Sequence, residues 1–301
     1  IKVLKPDGKW IILPYTVNVS GPLDLMIVAG GQKWIFQPGT NNIFLLDDND
    51  TPGFLSDDRY LRLPVRDTEG GLFSVFSMTE DLDGNIWVGT DKGPLVYFNP
   101  GKVFDIDLTA HRIKIPRNDG SGLADFLLGT ETITSIAVDG ANRKWVGSSG
   151  SGVYLLSADG NKVIKTFNTG NSPMFSDSIA SVAVDDRTGE VWFGTSRGTL
   201  SIRESATSGG EKFSGVYSFP NPVRDDFSGN VTITGLLRDT NVKITDVSGN
   251  LVFETTSTGG QASWDLKTFN GRRVTTGVYL VFCTSADGLQ SCTTKILVIS
   301  K

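Results

Sequence analysis

The side chains that could carry out chemistry are few in this sequence of 301 residues. One histidine, His111, stands beside Arg112 in a stretch that is typical of a loop. A metal cluster, a Ser-His-Asp triad or a Cys-His pair would each have to be built around that single imidazole. No P-loop is present, and no Rossmann fingerprint follows a βαβ pattern. We therefore predict no catalytic residues, a protein that is not an enzyme, and a surface or packing role for His111.

Acidic clusters form the second set of candidate ligands. They stand at Asp47-Asp48-Asn49-Asp50, Asp57-Asp58 and Asp81-Leu82-Asp83. Carboxylate oxygens in such loops could hold Ca²⁺, but none of the clusters has the EF-hand spacing, and Asp83-Gly84-Asn85 is also typical of a hairpin turn. We predict no metal and no cofactor, with Ca²⁺ as the alternative. Glycoside hydrolysis stays open, because no catalytic pair stands out among the 33 Asp and Glu residues.

The two cysteines, Cys283 and Cys292, predict a structural disulfide. They flank Asp287-Gly288, which is a strong signal for a two-residue hairpin turn. Such a turn pairs Ala286 with Leu289 and, counting outward, Cys283 with Cys292. If that pair is not hydrogen-bonded, its Cα atoms lie about 4.5 Å apart, near the short end of the disulfide range. The disulfide implies an oxidising compartment outside the cytoplasm. The alternative is two reduced, half-buried thiols that face each other.

The elements that must position these residues are β-strands. Short apolar runs lie between turns rich in Gly, Asp, Asn and Ser, and the chain contains 35 glycines. This pattern predicts an all-β protein, long enough for two domains. The net charge is -5 at pH 7, and no basic stripe indicates a nucleic-acid partner. The chain begins at Ile1 with neither Met nor a signal peptide, so we expect a mature protein or a fragment of a longer one.

Residues 1–210 contain a repeat. Three segments align, at 74–90, 134–148 and 180–195, and a weaker copy runs over 25–36. Each reads as a strand, a tight turn and a second strand, which predicts propeller blades. A β-sandwich that happens to repeat is the alternative. The glycine after each tryptophan should allow close packing between blades. The motif residues are Trp34, Trp87, Gly89, Trp145, Gly147, Trp192 and Gly194.

The segment Asp83-Gly84-Asn85-Ile86-Trp87-Val88-Gly89-Thr90-Asp91-Lys92-Gly93 resembles the repeat of the two-component regulator propeller family, which occurs in extracellular sensor domains and envelope proteins of the Bacteroidota. The resemblance covers roughly residues 20–205. Members of the family usually close seven blades, whereas only these four motifs and a leading strand pair around Lys2–Tyr15 are visible. The resemblance therefore implies a partial or truncated ring. We expect the repeat to end at a small, polar linker, Ser205–Gly210.

A different pattern begins after residue 210. We predict that residues 211–301 form an immunoglobulin-like sandwich of seven strands. Pro220 and Pro222 should place their stretch in an extended edge, and Trp264 should fill the core. The run 277–282 is apolar on both faces and should be a central strand. The predicted strands lie near Gly215–Phe219, Val231–Thr234, Val242–Asp246, Leu251–Thr256, Gln261–Asp265, Gly277–Thr284 and Ser291–Ile299.

Motifs of this region resemble, in order and spacing, the C-terminal sorting domain of type IX secretion. They stand at residues 217–223, 242–252, 264–266, 270–273, 277–281 and 295–299. The motif residues are Pro220, Asn221, Pro222, Asp246, Gly249, Trp264, Gly277, Tyr279 and Lys295. The family implies export through the outer membrane. In ordinary cargo, a sortase (PorU) removes the domain and attaches the protein to anionic lipopolysaccharide.

The two modules together resemble a surface component of the type IX attachment complex. This resemblance implies a non-catalytic scaffold at the outer membrane that keeps its sorting domain. Its partners would be a PorU-type sortase, other proteins of the attachment complex, and anionic lipopolysaccharide. The alternative is an exported cargo protein whose propeller binds glycan or protein and whose sorting domain is cleaved. The sensor half of a hybrid histidine kinase does not fit, because a membrane span and kinase helices should then follow the propeller.

Overall fold

The structure is a computed structural model that describes residues 1–4, 7–15, 21–51, 53–117 and 119–299. Apart from a short 3-10 turn at Pro100–Lys102, the regular elements of these residues are β-strands, so the predicted all-β class is confirmed. No helix in this part of the chain is long and apolar enough to cross a bilayer. The chain divides into two compact units. The first unit contains Ile1–Val138, Lys144–Val182 and Phe193–Leu200, and the second contains Asp139–Arg143, Ala183–Trp192 and Ser201–Lys301.

The strands up to residue 203 form small antiparallel sheets. In chain order they are β1 Lys2–Leu4, β2 Trp10–Ile12, β3 Asp24–Ile27, β4 Lys33–Phe36, β5 Asn42–Asp47, β6 Arg59–Pro64, β7 Val75–Glu80, β8 Ile86–Thr90, β9 Gly93–Tyr97, β10 His111–Arg112, β11 Lys114–Pro116 and β12 Ala124–Phe126. They continue with β13 Ile133–Val138, β14 Lys144–Ser148, β15 Val153–Leu156, β16 Val163–Phe167, β17 Ile179–Asp185, β18 Glu190–Thr195 and β19 Gly198–Arg203.

Each repeat copy forms one sheet whose neighbouring strands follow each other in the chain. The sheets are β3 to β6, β7 to β10, β13 to β16, and the three-stranded β17 to β19. The motif tryptophan lies on the second strand of each sheet. In β8 and β14 every residue is buried, because these inner strands are covered on both faces. The predicted blade-like sheets are therefore confirmed, and the leading strand pair is the hairpin of β1 and β2.

The sandwich strands of the second unit agree with the predicted ones to within two residues. They are β20 Tyr217–Phe219, β21 Val231–Thr234, β22 Asn241–Thr245, β23 Leu251–Thr256, β24 Gln261–Trp264, β25 Gly277–Thr284 and β26 Ser291–Val298. One sheet has the order β20-β21-β24 and the other β23-β22-β25-β26. Strand β25 is central, as expected, but Val278 and Phe282 on its outward face are exposed by 37% and 42%. The strand is therefore buried on one face only, although its residues are apolar on both.

The predicted linker Ser205–Gly210 is part of the fold of the second unit. Thr207 pairs in parallel with Gly259, and the amide of Gly260 donates to the carbonyl oxygen of Thr207 at 2.7 Å. Ala206 is only 2% exposed. A Cβ on Gly259 would collide with the Thr207 carbonyl, so glycine is required for this close approach. The small residues of Ser205–Gly210 allow close packing of the backbone, and they do not form a flexible linker. A domain boundary at residue 210 stays a prediction.

A half-buried carboxyl group beside this segment makes the second unit sensitive to pH. One carboxylate oxygen of Asp186 has no hydrogen-bond partner, and burial, followed by the charge of Asp139, raises the pKa of Asp186. The folded protein therefore disfavours the carboxylate. The free energy of unfolding is therefore reduced at pH values above the raised pKa of Asp186. This reduction disappears as the pH falls below the ordinary value of 3.8.

We expect Asp186→Asn to raise the Tm of the second unit at pH 7 by about 2 °C. The gain should be largely lost near pH 3.5, where the Asp186 carboxyl group is mostly protonated in both the folded and the unfolded state. The control is Asp185→Asn, because the backbone hydrogen bond from Arg187 lowers the pKa of the partly exposed Asp185. Calorimetry at the two pH values checks the result, and a Tm gain that is equal at both would contradict it.

Candidate functional site

A cleft of about 560 Å³ opens in the first unit. Its walls are the turn between β7 and β8 at residues 81–85, strand β10 with its continuation to Lys114, and the turn between β15 and β16 at residues 158–161. Trp87 and Val96 lie below, and Phe98 stands at one side. Two neighbouring repeats thus contribute to one cavity, whose volume lies in the range of about 300–1,000 Å³ that is usual for small-molecule sites.

A buried ion pair supports the floor of the cleft. The Nζ atom of Lys144 lies 3.0 Å from Oδ2 of Asp81, and the two side chains are 0% and 3% exposed. The indole N–H of Trp87 donates to the same carboxylate oxygen at 2.9 Å. Lys144 also donates to the carbonyl oxygen of Ala158 at 2.5 Å, and its Nζ lies 4.7 Å from the centre of the Trp87 ring. The buried charges are paired and hydrogen-bonded, which holds the floor in one arrangement.

The electrostatics of Asp81 follow from these contacts. Burial alone would raise the pKa of its carboxyl group. The backbone N–H of Asn85, the indole of Trp87 and the ammonium of Lys144 outweigh burial and lower the pKa. Asp81 is therefore ionised at neutral pH.

Gly160 brings the second wall close to this floor. It has a φ of +73°, and an added Cβ would lie 2.5 Å from Cδ1 of Ile113 and 2.7 Å from the ring of Trp87. Only glycine fits this position without displacing the ring or straining the backbone. The turn at residues 158–161 is consequently held against Trp87.

The rim of the cleft carries one exposed aromatic ring and several polar side chains. Phe98 is 44% exposed, and its ring centre lies 5.2 Å from that of His111. Asp159 accepts hydrogen bonds from the backbone N–H and the side-chain amide of Asn161 at 3.0 and 2.9 Å. On the opposite turn the backbone N–H of Asp83 donates to Asp81 at 2.9 Å. These turn hydrogen bonds hold the rim side chains in place.

His111 was predicted in a loop, but it lies in β10, paired with Val96. Two residues of the first acidic cluster form ion pairs with basic side chains. Asp47 pairs with Arg59 at 2.8 Å, and Asp48 pairs with Lys33 at 2.5 Å. Within the described ranges, no group of three or more His, Cys, Asp and Glu side chains is arranged to hold a metal ion.

The motif tryptophans of the first three sheets are buried. Trp34 and Trp145 are 0% exposed and Trp87 is 2% exposed. Aromatic rings from the following repeats cover two of them, since Trp34 lies 5.8 Å from Tyr97 and Trp145 lies 5.8 Å from Phe193. This burial agrees with a packing role rather than direct chemistry.

Trp192 differs from the other motif tryptophans, because 44% of its surface is exposed. Its neighbour Phe193 is fully buried instead. The other motif tryptophans are followed by a further copy of the repeat, whereas the sequence after Trp192 changes to the sorting motifs. Trp192 therefore matches the other three tryptophans in the sequence motif, but it does not share their buried environment.

The motif glycines are sites of close approach. A Cβ on Gly89 would collide with Oγ of Ser77 in its own sheet and would lie 2.8 Å from Cγ2 of Ile133, while one on Gly147 would lie 2.6 Å from Cγ2 of Ile179. The two isoleucines belong to the next sheet, as the packing argument predicts. At Gly194 the nearest atom is Oγ of Ser181, at 2.5 Å within the same sheet.

In the sorting motifs, Asn221 binds the edge of the last strand. Its side-chain amide donates to the carbonyl oxygen of Lys295 at 2.9 Å, and its Oδ1 accepts from the amide of Leu297 at 3.0 Å. The side chain of Asn221 thus makes the hydrogen bonds that the backbone of a neighbouring strand would otherwise make to β26. Pro220 and Pro222 form a bend and not the predicted extended edge, because proline has no N–H with which to continue a ladder.

The other sorting motifs have structural roles. Trp264 is 0% exposed, its indole N–H donates to the carbonyl oxygen of Lys267 at 2.9 Å, and its ring lies 5.4 Å from that of Tyr279. The hydroxyl of Tyr279 donates to the carbonyl oxygen of Thr275 at 2.9 Å, as in the tyrosine corner of immunoglobulin-like domains. Three further motif residues lie in turns and strand ends. Asp246 and Gly249 close the turn between β22 and β23, and Gly277 begins β25.

Cys283 and Cys292 are directly opposite each other in β25 and β26, as predicted. Both thiols are free in this structure, so the disulfide itself is not formed. The loop is wider than a two-residue turn, because the amide of Ser285 donates to the carbonyl oxygen of Gln290 at 3.0 Å. This bond makes 283/292 a hydrogen-bonded pair, contrary to the assumption above, with Cα atoms about 5.5 Å apart and still within the disulfide range.

We expect an oxidant to join these two cysteines and to raise the free energy of unfolding by up to about 2–3 kcal/mol. Burial raises the pKa of both thiols, and a hydrogen bond to Cys292 adds to the effect at Cys283. Because a thiolate must attack, the reaction should be slow at neutral pH and faster at alkaline pH. Alkylation of the unfolded protein checks the result. Two alkylated thiols after oxidation would contradict it, and Cys292→Ser is the control.

Sequence reasoning missed Lys144, Phe98 and the turn at 158–161. A signal for Lys144 exists, because the residue before each motif tryptophan lies in a core strand. Ile86 and Val191 are buried at this position, so a lysine there requires a buried partner. Phe98 and Asn161 carry no such signal, since they lie in turns far apart in the sequence.

Comparison with known proteins agrees with this architecture. Residues 217–299 match the family described as the secretion system C-terminal sorting domain. Over 98% of its length the chain is similar to PorZ of Porphyromonas gingivalis, an essential surface component of the type-IX secretion system, with 30% identity and a TM-score of 0.63. The chain spans 41% of the length of that protein.

A second similar structure is the extracellular domain of a B. thetaiotaomicron protein assigned to hybrid two-component systems. The identity is 12% and the TM-score 0.47, over 97% of this chain and 52% of the other. No curated protein sequence matches the chain. The sorting domain indicates a secreted or cell-surface protein. Residues 217–299 therefore belong to the secretion system C-terminal sorting domains, and the chain as a whole, with blade-like sheets before that domain, is similar to PorZ.

Proposed function

We propose that this chain is a non-catalytic component of the type IX attachment complex at the outer membrane. It retains its sorting domain, works with a PorU-type sortase and other proteins of the complex, and binds anionic lipopolysaccharide. The observation that carries the proposal is the 30% identity to PorZ along 98% of the chain, sorting domain included. Its activity is binding.

The segment before the sorting domain supports retention. A protease needs an accessible stretch of backbone that it can draw into its active site. Ala206 is 2% exposed, and the backbone of Thr207 is hydrogen-bonded to Gly260. Ser208, Gly209 and Gly210 are exposed, but the amides of Ser208 and Gly210 donate to the carbonyl oxygens of Asp186 and Leu236. Cleavage in this segment would therefore require backbone hydrogen bonds to open first. This favours a retained component over a cargo protein with a cleavable domain.

The outer face of the four-stranded sheet supports a protein partner. Val278 of β25 is paired with Leu297 of β26, and the two side chains are 37% and 38% exposed. Phe282 lies on the same face of β25, four residues after Val278, and its side chain is 42% exposed. Exposed apolar side chains on the outward face of a sheet are typical of a docking surface.

The test is purification of the native protein from the cell surface. We expect a full-length mass, with the sortase and anionic lipopolysaccharide bound. Phe282→Lys should lose the sortase at an unchanged Tm, while Leu289→Lys, at a residue 84% exposed, should keep it. A species that lacks the sorting domain would instead establish the cargo alternative, and a full-length protein without either partner would overturn the proposal.

A further inference from the structure

We infer that the cleft between the turns at 81–85 and 158–161 is a binding site for a neutral saccharide. This inference deepens the proposed function and rests on it: the cleft would hold uncharged sugar residues of the polysaccharide, while its charged groups lie outside. The cleft offers an exposed aromatic surface, hydrogen-bonding groups on two sides and a floor supported by a buried ion pair.

The aromatic surface is Phe98, with His111 beside it. Their rings lie 5.2 Å apart at an angle of 56°, and Phe98 is 44% exposed. A single exposed ring beside a cavity can cover the apolar C–H face of a pyranose, since aromatic rings supply large apolar contact areas in fixed positions.

The polar side chains at the rim match hydroxyl groups. Asp83 and Asn85 stand on one turn, and Asp159 and Asn161 on the other. Carboxylates accept hydrogen bonds and amides both donate and accept, whereas each sugar hydroxyl does both. Carboxylate and amide groups on opposite sides can therefore bind several hydroxyls of one ring.

The arrangement of charges at the cleft favours a neutral ligand over a phosphorylated one. Asp83 and Asp159 bring two negative charges to the rim, and Asp81 cancels the charge of the buried Lys144. Arg112 and Lys114 also line the cleft, but both cations contact other groups. The guanidinium of Arg112 lies 3.5 Å from the centre of the Phe126 ring, and the ammonium of Lys114 pairs with Glu69 at 3.3 Å. A phosphate in the cleft would meet the carboxylates of Asp83 and Asp159, and Arg112 and Lys114 would have to leave their present contacts to offset its charge.

The experiment uses the full chain and two probes. Oligosaccharides released from the lipopolysaccharide of the producing bacterium are separated by anion exchange into neutral and phosphorylated pools. In calorimetric titrations we expect the neutral pool to bind and the phosphorylated pool to bind at least about tenfold more weakly. Phe98→Ala should weaken binding of the neutral pool by about tenfold.

The matched control is Phe269→Ala, because Phe269 is an exposed phenylalanine of the second unit, at 62%. It should bind as the wild type does, and both variants should keep the wild-type Tm. No binding of the neutral pool, stronger binding of the phosphorylated pool, or equal binding by Phe98→Ala would each overturn the inference. If the sortase and lipopolysaccharide still co-purify with the wild type, only this inference fails. If neutral sugars bind but neither partner co-purifies, only the attachment role fails.

Discussion

Replacement of Lys144 by methionine should destabilise the first unit by about 3–5 kcal/mol, the usual cost of removing one partner of a buried ion pair. The ammonium is fully buried, and its loss leaves the carboxylate of Asp81, 3% exposed, without a counter-charge. Two hydrogen bonds from backbone amides and one from Trp87 remain on that carboxylate. They reduce the cost but do not replace a full positive charge.

Three further variants isolate the charge effect. The double variant Asp81→Asn/Lys144→Met should recover most of the loss, because the amide oxygen of the new side chain would still accept the turn hydrogen bonds and no buried charge would remain. Lys114→Met is the control for an exposed ion pair in the same unit. The side chains of Lys114 and its partner Glu69 are 60% and 59% exposed, so the substitution should cost less than about 1 kcal/mol. Asp81→Asn alone should be as harmful as Lys144→Met, since it removes the carboxylate charge that lies 3.0 Å from the buried ammonium.

Calorimetry of the full chain measures these effects on the transition of the first unit. The lowered pKa of Asp81 adds a pH test. Its stabilising charge is present above the ordinary value of 3.8 and is lost as the pH falls through the lower folded value. The difference in the free energy of unfolding between wild type and Lys144→Met should therefore become smaller at acidic pH. A double variant no more stable than either single variant would show that packing, and not charge, sets the cost.

Truncation of Trp264 to alanine should destabilise the sorting domain by about 3–5 kcal/mol. The side chain is fully buried between Tyr279, at 5.4 Å, and Phe253, at 6.4 Å. Its removal leaves a cavity between the two sheets and an unpaired carbonyl oxygen at Lys267. Because export depends on a folded label in the proposed function, the variant should also accumulate inside the cell.

Trp192→Ala is the matched control, because the same side chain is 44% exposed at that position. It should cost less than about 1 kcal/mol and leave export unchanged. Trp264→Phe keeps a ring against Tyr279 and should lie between wild type and alanine. Equal losses of stability for Trp264→Ala and Trp192→Ala would contradict the assignment of Trp264 to the core.

Much of the fold could be predicted because it is local. Alternating apolar residues and turn signals lie within ten residues of each other, so they indicated all seven strands of the sandwich. The spacing of the tryptophans indicated one sheet for each copy of the repeat. The register of Cys283 and Cys292 followed from counting outward from Asp287-Gly288, even though the loop proved wider than two residues.

What the sequence by itself determined was therefore the strands, the sheets and the sorting motifs. Only the tertiary structure decided which motif tryptophan is exposed, that Ser205–Gly210 is held in a ladder, and that Asn221 binds the edge of the last strand. It also brought residues 81–85 and 158–161 to one cleft. The physical reason is that these properties depend on contacts between segments that are distant in the sequence. The residues of one segment do not indicate which other segment will contact it.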